Sequence, residues 1–277
     1  MVNVWPLDAI AVVDDRGSLP SAQPCFLKLH ERVQKPRESG LNHVLDKGCP
    51  LGTARDLLRQ MAAFIDIWKF GWGSAYLDPT IREKVAALKS ANVKSCTGGT
   101  LLEIAWHQGC ADDMLRFAAD IGFDCVEVSD GATDMPLSEK RCLISRARER
   151  GFEVLSEIGS KDPKKDVDPD LWLAEVDGDV AAGADWIVAE GRESGTVGLY
   201  QPDGQIRRGL VDVLTQSSYA GRIIYESPQR SQQSCLLRLL GPSVNLGNIL
   251  LEDVMGLEAV RVGLRADSFG AVAGQGQ

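Results

Sequence analysis

Short runs of apolar residues, many of them β-branched, alternate along most of the chain with longer amphipathic stretches. This alternation is typical of βα units, in which each strand of a parallel sheet is followed by a helix that covers the sheet. The runs predict eight strands, at His43–Lys47, Ile65–Phe70, Val93–Cys96, Cys125–Ser129, Glu153–Ile158, Trp186–Glu190, Arg222–Glu226 and Ser243–Leu246. The stretches between them predict helices that include Thr53–Phe64, Asp78–Ala91, Ala111–Ile121, Ser138–Arg150 and Asp170–Ala182.

Eight βα units in roughly 230 residues match the number and size of a (β/α)8 barrel, the TIM barrel. An open, doubly wound sheet is the alternative fold, but no G-x-G-x-x-G motif follows the first predicted strand. Residues 1–40 carry prolines and polar residues without a sustained period, so we predict an N-terminal arm there. The sequence therefore predicts an α/β protein with one domain, a TIM barrel over residues 41–277.

The net charge of −9 argues against extended contact with nucleic acid, because phosphate binding needs a surplus of Lys and Arg on one face. No apolar run approaches the length of a membrane span, and the first ten residues lack the basic start and apolar stretch of a signal peptide. The seven cysteines form no C-x-x-C pair, which fits reduced thiols better than disulfides or a zinc site. We therefore expect a cytoplasmic protein whose partners are small molecules or other subunits.

The predicted strands end in polar residues, and a TIM barrel binds its ligands at the C-terminal ends of its strands. Side chains alternate along a strand, so apolar residues that face the helices turn the residues between them inward. By this parity, the inward residues at the ends of strands four to seven are Glu127, Ser129, Glu157, Glu190, Arg192 and Glu226.

Four carboxylates at one height inside a barrel cannot all stay ionised without a cation, because each raises the pKa of the others. Magnesium suits oxygen ligands and is commonly held by one or two carboxylates together with the oxygens of a substrate. We predict that Glu127, Glu157 and Glu190 bind Mg²⁺ beside an anionic substrate. The alternative is that each acid pairs with a neighbouring Lys or Arg in an ordinary polar barrel mouth.

Three glycine-rich turns follow predicted strands, at residues 71–74, 98–100 and 245–248. Such turns expose backbone N–H groups at a helix start, where a phosphate can bind. The last turn is favoured, because phosphate sites in barrels often lie after strands seven and eight. The predicted substrate contacts are Asn245, Gly247 and Asn248 in that turn, and Asp46, Ser129 and Glu226 at other strand ends.

A series of co-linear segments resembles the phosphosulfolactate synthase family over residues 43–270. They are V-L-D-K-G (44–48), W-K-F-G-W-G-S (68–74), G-G-T-L-L-E (98–103), V-E-V-S-D-G (126–131), S-E-I-G-S-K (156–161), A-E-G-R-E-S-G (189–195), S-P-Q-R-S-Q-Q (227–233), V-N-L-G-N-I (244–249) and L-R-A-D-S-F-G (264–270). The resemblance implies a TIM barrel, Mg²⁺ dependence and a homo-oligomer. It also implies the addition of sulfite to phosphoenolpyruvate, the first step towards coenzyme M in methanogens.

The resemblance also implies roles for basic residues. The catalytic lysine of the family's G-K-K segment corresponds to Lys161, while Ser160 stands where the family has the preceding lysine. Addition of sulfite leaves a carbanion that a general acid must protonate, and Lys161 is the expected donor. Lys69 and Arg192 are expected to hold anionic groups of the substrate, Arg192 through its forked guanidinium.

Two other functions stay open, because the family includes a plant heat-stress-associated protein. One is a related enzyme that adds a different nucleophile to an enol phosphate. The other is a stress-associated barrel protein without turnover. The presence of Lys161, Arg192 and the four acids favours an enzyme, since a binding scaffold needs none of them at those positions.

Overall fold

The computed structural model describes residues 27, 29–159, 167–266 and 268. Its strands all pair in parallel and in chain order, and the eighth pairs with the first to close a barrel. They are β1 Asn42–Asp46, β2 Ile67–Phe70, β3 Lys94–Thr97, β4 Cys125–Val128, β5 Glu153–Ile158, β6 Trp186–Ala189, β7 Ile223–Glu226 and β8 Asn245–Leu250. The predicted TIM barrel is confirmed.

Helices follow each strand and surround the barrel, with two helices between β2 and β3 and two between β3 and β4. In the described part of the chain they are α1 Leu51–Met61, α2 Ser74–Leu77, α3 Ile81–Ser90, α4 Gly99–His107, α5 Ala111–Ile121, α6 Leu137–Glu149, α7 Pro169–Ala182, α8 Arg208–Gln216, α9 Arg230–Leu240 and α10 Val254–Arg261.

The alternation of side chains along each strand divides the apolar residues between two cores. Outward residues such as Val126 and Val128 of β4 belong to the large core shared with the helices. Inward residues such as Cys125 of β4, Leu155 of β5 and Val188 of β6 form a smaller core inside the barrel. This parity turns the polar residues at the strand ends towards the mouth of the barrel, as the sequence predicts.

The eighth strand differs from the prediction. It begins at Asn245 and continues to Leu250, whereas the sequence predicts a strand that ends at Leu246 and a turn after it. Gly247 lies in the middle of this strand, where a Cβ atom would come within 3.0 Å of His43 Nδ1 inside the barrel. This glycine therefore admits a neighbouring side chain and does not mark a turn.

The described part of the arm contacts the N-terminal end of the barrel. This end lies opposite the C-terminal strand ends, where TIM barrels bind their ligands. Lys35 Nζ donates to the backbone oxygens of Ala62 and Asn92, and Arg37 Nη1 contacts both carboxylate oxygens of Asp66 at 2.9 and 3.1 Å. Residues 1–26 of the predicted arm lie outside the described residues. Among the helices described, none is long and apolar enough to cross a membrane.

Candidate active site

A cavity of about 510 Å³ opens at the C-terminal ends of the strands. Its walls come from the ends of β1, β2, β4 and β5, from the turn that begins α4 and from the loops after β4 and β6. The lining residues are Leu45, Lys69, Gly71, Trp72, Gly98, Gly99, Thr100, Glu127, Ala132, Glu157, Glu190, Arg192, Glu193 and Ser194.

Four buried glutamates from four consecutive strands converge here, three of them lining the cavity and Glu226 lying next to it. Glu127 comes from β4, Glu157 from β5, Glu190 from the residue after β6 and Glu226 from the end of β7, and none is more than 4% exposed. Carboxylate oxygens of Glu157, Glu190 and Glu226 lie within 4.8 Å of one another. All four residues lie in one region of the barrel, as side-chain parity along their strands predicts.

One buried ammonium group lies among these acids. Lys69 Nζ is 2.9 Å from Glu127 Oε2 and 3.2 Å from Glu226 Oε1. Burial by itself would lower the pKa of Lys69, but the negative charges of Glu127, Glu226 and Glu157 outweigh it and raise the pKa. Lys69 is therefore protonated at neutral pH and links two of the four carboxylates.

Backbone amides hold the carboxylates in place. Gly99 N, at the start of α4, donates to Glu127 Oε1 at 2.9 Å. Gly191 N and Arg192 N both donate to Glu226 Oε2 at 3.0 Å, and Arg192 N also donates to Glu190 Oε1 at 2.5 Å. Arg192 makes these contacts with a left-handed backbone, at φ +59°. The turn after β6 thus fixes two acids and directs the Arg192 side chain to the cavity wall.

Burial and charge repulsion act together on Glu127. Desolvation raises its pKa, and the neighbouring charges of Glu157 and Glu226 raise it further, against the opposing effect of Lys69. Among the described residues, four buried carboxylates face a single buried ammonium at this site. Like charges at this spacing repel one another, so the four carboxylates favour positive charge beside them.

The donor set fits a hard divalent cation. Magnesium takes oxygen ligands, and the three carboxylates that lie within 4.8 Å of one another, those of Glu157, Glu190 and Glu226, supply only oxygen. Glu127, which the sequence also predicts as a ligand, is not part of that group of three; its two oxygens contact Lys69 and Gly99.

Two predicted substrate contacts lie next to the cavity without lining it. Ser129 is 1% exposed, and its hydroxyl donates to the buried carboxylate of Glu103. The same carboxylate accepts from Ala132 N at 2.7 Å, so Glu103 shapes the loop after β4. Sequence reasoning missed Glu103, although its spacing of four residues from Gly99 in α4 places both on one face of that helix. Glu226, the other contact, is bound by Lys69 as described above.

Asp46 points away from the cavity. Its carboxylate accepts from Trp68 Nε1 at 3.0 Å and from the amides of Gly48 and Cys49, and it lies 3.7 Å from Lys84 Nζ on α3. Leu45 lines the cavity, so the next residue along β1 faces the helices. Asp46 therefore orders the loop after β1, and the predicted substrate contact is not supported by its position.

The predicted phosphate turn after strand eight is not at the cavity either. Asn245 lies at the opposite end of the barrel, where its side chain bonds Leu41 N at 3.0 Å and the backbone oxygens of Gly221 and Ile223 at 3.1 Å. Gly247 is inside β8, and Asn248, at 5% exposure, is not among the lining residues. Because the strand extends four residues further than predicted, these residues belong to the barrel wall. Gly71 and the turn 98–100 line the cavity instead.

The chain matches the family model described as (2R)-phospho-3-sulfolactate synthase (ComA) over residues 30–267. It belongs to this family. The match covers the whole barrel, from the arm residues that contact its N-terminal end to the residues after α10.

Three phosphosulfolactate synthases are similar to the chain over nearly their full lengths. The protein from Methanocaldococcus jannaschii is 41% identical over 253 residues, which cover 89% of this chain and 100% of that protein. The one from Methanothermobacter thermautotrophicus is 42% identical over 246 residues, covering 87% and 95%. The one from Bacillus subtilis is 36% identical over 246 residues, covering 88% and 97%.

Solved structures outside the phosphosulfolactate synthase family share the fold. The 3-hexulose-6-phosphate synthase of Salmonella typhimurium superposes with a TM-score of 0.52 at 18% identity, covering 84% of this chain and 95% of that one. The 3-keto-L-gulonate-6-phosphate decarboxylase of Vibrio cholerae gives 0.51 at 14%, covering 85% and 95%. At such low sequence identities the similarity shows a shared fold and carries no information on function.

The reaction of the phosphosulfolactate synthase family is the addition of sulfite to phosphoenolpyruvate. Of the three residues expected to carry it, Lys69 and Arg192 line the cavity. Lys161 falls within residues 160–166, which lie outside the described residues, so its role stays a prediction.

Proposed function

We propose that this chain catalyses the Mg²⁺-dependent addition of sulfite to phosphoenolpyruvate, giving (2R)-phospho-3-sulfolactate, and is a carbon–sulfur lyase by class. The observation that carries the proposal is the convergence of Glu157, Glu190 and Glu226 within 4.8 Å at the mouth of a barrel that belongs to this family. Such a site favours a cation and, through it, an anionic substrate.

The reaction is an addition in which no group leaves. The sulfur lone pair of sulfite forms a bond to the methylene carbon of phosphoenolpyruvate, and the π electrons of the double bond move to the carbon that bears the phosphate and the carboxylate. A proton then adds to that carbon, and delivery to one face gives the R product. The protein must hold two anions together, stabilise the developing negative charge and supply one proton.

Glu157, Glu190 and Glu226 would hold the magnesium ion. Bound there, the ion supplies positive charge that stabilises a developing carboxylate-conjugated anion. The amides of Gly191 and Arg192 fix Glu226, and Arg192 N fixes Glu190, so the acids are oriented before any ligand binds.

Among the described residues that line the cavity, Lys69 and Arg192 carry positive charge. Lys69 is anchored by Glu127 and Glu226, so its position is set before substrate enters. Arg192 is exposed at the wall, where a guanidinium suits two-point binding of carboxylate, phosphate or sulfonate oxygens. We assign these two residues to anion binding and keep Lys161 as the proton donor that the family resemblance implies.

Thermal unfolding in the presence of each ligand tests whether the site works. We expect Mg²⁺ together with phosphoenolpyruvate to raise Tm more than either alone, by the mass-action rule for ligands that bind only the folded state. A barrel protein without turnover predicts no shift with phosphoenolpyruvate. A related enzyme with another nucleophile predicts the same shift but no consumption of sulfite.

The remaining proposals concern where and in what form the protein works. The cysteines described, at positions 49, 96, 110, 125, 142 and 235, are all free thiols, which supports a reducing compartment such as the cytoplasm.

A homo-oligomer is proposed on the family resemblance. Light scattering should give a mass above the 30.0 kDa of one chain, and a monomer mass at micromolar concentration would contradict it.

A further inference from the structure

A second buried charge cluster lies behind β5, outside the cavity. Its centre is Lys140, in the first turn of α6, whose side chain is fully buried. Lys140 Nζ lies 2.6 Å from Glu175 Oε1 and 3.0 Å from Asp179 Oδ2 on α7, and 3.5 Å from Asp130 Oδ1 in the loop after β4. None of these four residues lines the cavity.

The cluster is joined directly to the strand that carries Glu157. Lys140 Nζ donates to the backbone oxygen of Glu157 at 2.6 Å, and Ser156 Oγ donates to Asp179 Oδ2 at 2.7 Å. The last paired position of β4 and β5 is Val128 with Ser156, so Glu157 lies one residue beyond the end of that ladder. A side chain from α6 therefore holds the strand where its pairing with β4 has ended.

The same ammonium group also contacts the loop after β4. Asp130 follows Glu127 by three residues, and its contact with Lys140 ties the loop after β4 to the end of β5. Burial alone would lower the pKa of Lys140, but Glu175, Asp179 and Asp130 raise it, so the charge that makes these contacts is retained. One buried cation thus links the two strand ends from which Glu127 and Glu157 enter the cavity.

We propose that Lys140 is a positioning residue that holds Glu127 and Glu157 in place at the cavity and, through Glu157, sets the affinity of the site for a divalent cation. The proposal rests on the Mg²⁺ site of the proposed function. A buried lysine with only a structural role would affect the stability of the protein but not the positions of the cavity carboxylates. A positioning residue changes ligand affinity as well, because displacement of ligand groups weakens a preorganised site.

Lys84 provides a matched control. It is 3% exposed, lies on α3 and pairs with Asp78 at 2.5 Å and with Asp46 at 3.7 Å, but none of these residues carries a carboxylate into the cavity. Lys84→Met and Lys140→Met each remove a buried ammonium from its carboxylates. Both are therefore expected to lower Tm, because each leaves buried acids uncompensated.

The experiment measures Mn²⁺ binding, by electron paramagnetic resonance, to the full-length wild type and variants, with Mg²⁺ as competitor. Lys140→Met should raise the Kd for Mn²⁺ by about tenfold or more, whereas Lys84→Met should leave it within about twofold of wild type. Asp130→Asn, which removes the charge of one partner of Lys140 and keeps its other contacts, should raise the Kd severalfold. This variant decides the test if Lys140→Met does not fold.

Unchanged Mn²⁺ affinity in Lys140→Met, or in Asp130→Asn where only that variant folds, would overturn the inference and leave the proposed function standing. Absence of Mn²⁺ and Mg²⁺ binding by the wild type would instead refute the proposed metal site, and the inference with it. Equal loss of affinity in Lys84→Met would also overturn the inference, since the effect would then follow from stability alone.

Discussion

The backbone N–H of Gly99 donates to Glu127 Oε1 at 2.9 Å, so the first residue of α4 and a carboxylate of β4 are fixed to each other at the cavity wall. This contact requires close approach of the α4 backbone to β4. A Cβ atom on Gly99 would lie 2.5 Å from Ser129 Oγ and 3.3 Å from Glu127 Oε1. The glycine is therefore needed for space at this position.

Replacing Gly99 by alanine should push α4 away from β4 and displace Glu127. We expect a loss of about 1–3 kcal/mol in the free energy of unfolding, the usual cost of overpacking a filled site. We also expect weaker Mg²⁺ binding, because Glu127 anchors Lys69, which in turn contacts Glu226. Gly73→Ala is the control, because a Cβ there meets nothing within 4 Å. Denaturant unfolding and Mn²⁺ titration of both variants measure the effect. Equal stability and equal Mn²⁺ affinity in the two variants would show that the close approach at Gly99 contributes to neither.

Replacing Glu157 by glutamine should weaken divalent-cation binding by at least about tenfold, because the change removes a negative charge from the group of three carboxylates and keeps its size. Glu153→Gln is the control on the same strand. Glu153 shares the parity of Glu157 but lies at the other end of the barrel, bonded to Lys94 and Trp186. If both variants bind Mn²⁺ as wild type does, Glu157 is not a metal ligand.

The pH dependence of stability should reveal the charge on Lys140. A lysine whose folded pKa is raised stabilises the protein fully below its unfolded value of 10.5 and loses that contribution as pH rises above it. The stability difference between wild type and Lys140→Met should therefore be constant from pH 8 to about 10 and become smaller above 10.5. Urea unfolding across this range measures it, and a difference that stays constant to pH 11.5 would contradict the assignment.

The sequence predicts the acids of the site well, because their neighbours are unambiguous. Val126 and Val128 flank Glu127, and β-branched residues of this kind pack against helices, which leaves only one direction for the acid. Parity along β5 and β6 fixes the directions of Glu157 and Glu190 in the same way. Local parity is sufficient to predict the direction of these side chains, because each strand has one face packed under a helix.

The sequence does not predict the positions of residues that depend on strand length or on contacts between distant parts of the chain. Gly247 was interpreted as part of a turn, but it is a strand residue that makes room for His43, a residue about 200 positions earlier in the chain. The barrel closure that brings His43 there has no local signal. Asp46 was assigned to the site although Leu45 occupies the inward position of β1. Lys140 is not found from the sequence, because its partners come from the loop after β4, from β5 and from α7, which only the fold brings together.

The most direct test of the proposed activity is product formation from phosphoenolpyruvate and sulfite by the purified full-length protein. With Mg²⁺ present, phosphorus NMR and mass spectrometry should show phosphoenolpyruvate converted to phosphosulfolactate, and excess chelator should stop the conversion. The Glu157→Gln variant should lose most of this turnover, and Glu153→Gln should keep it. Phosphoenolpyruvate left unchanged by folded wild-type protein with Mg²⁺ and sulfite, over hours and at high enzyme concentration, would contradict the account.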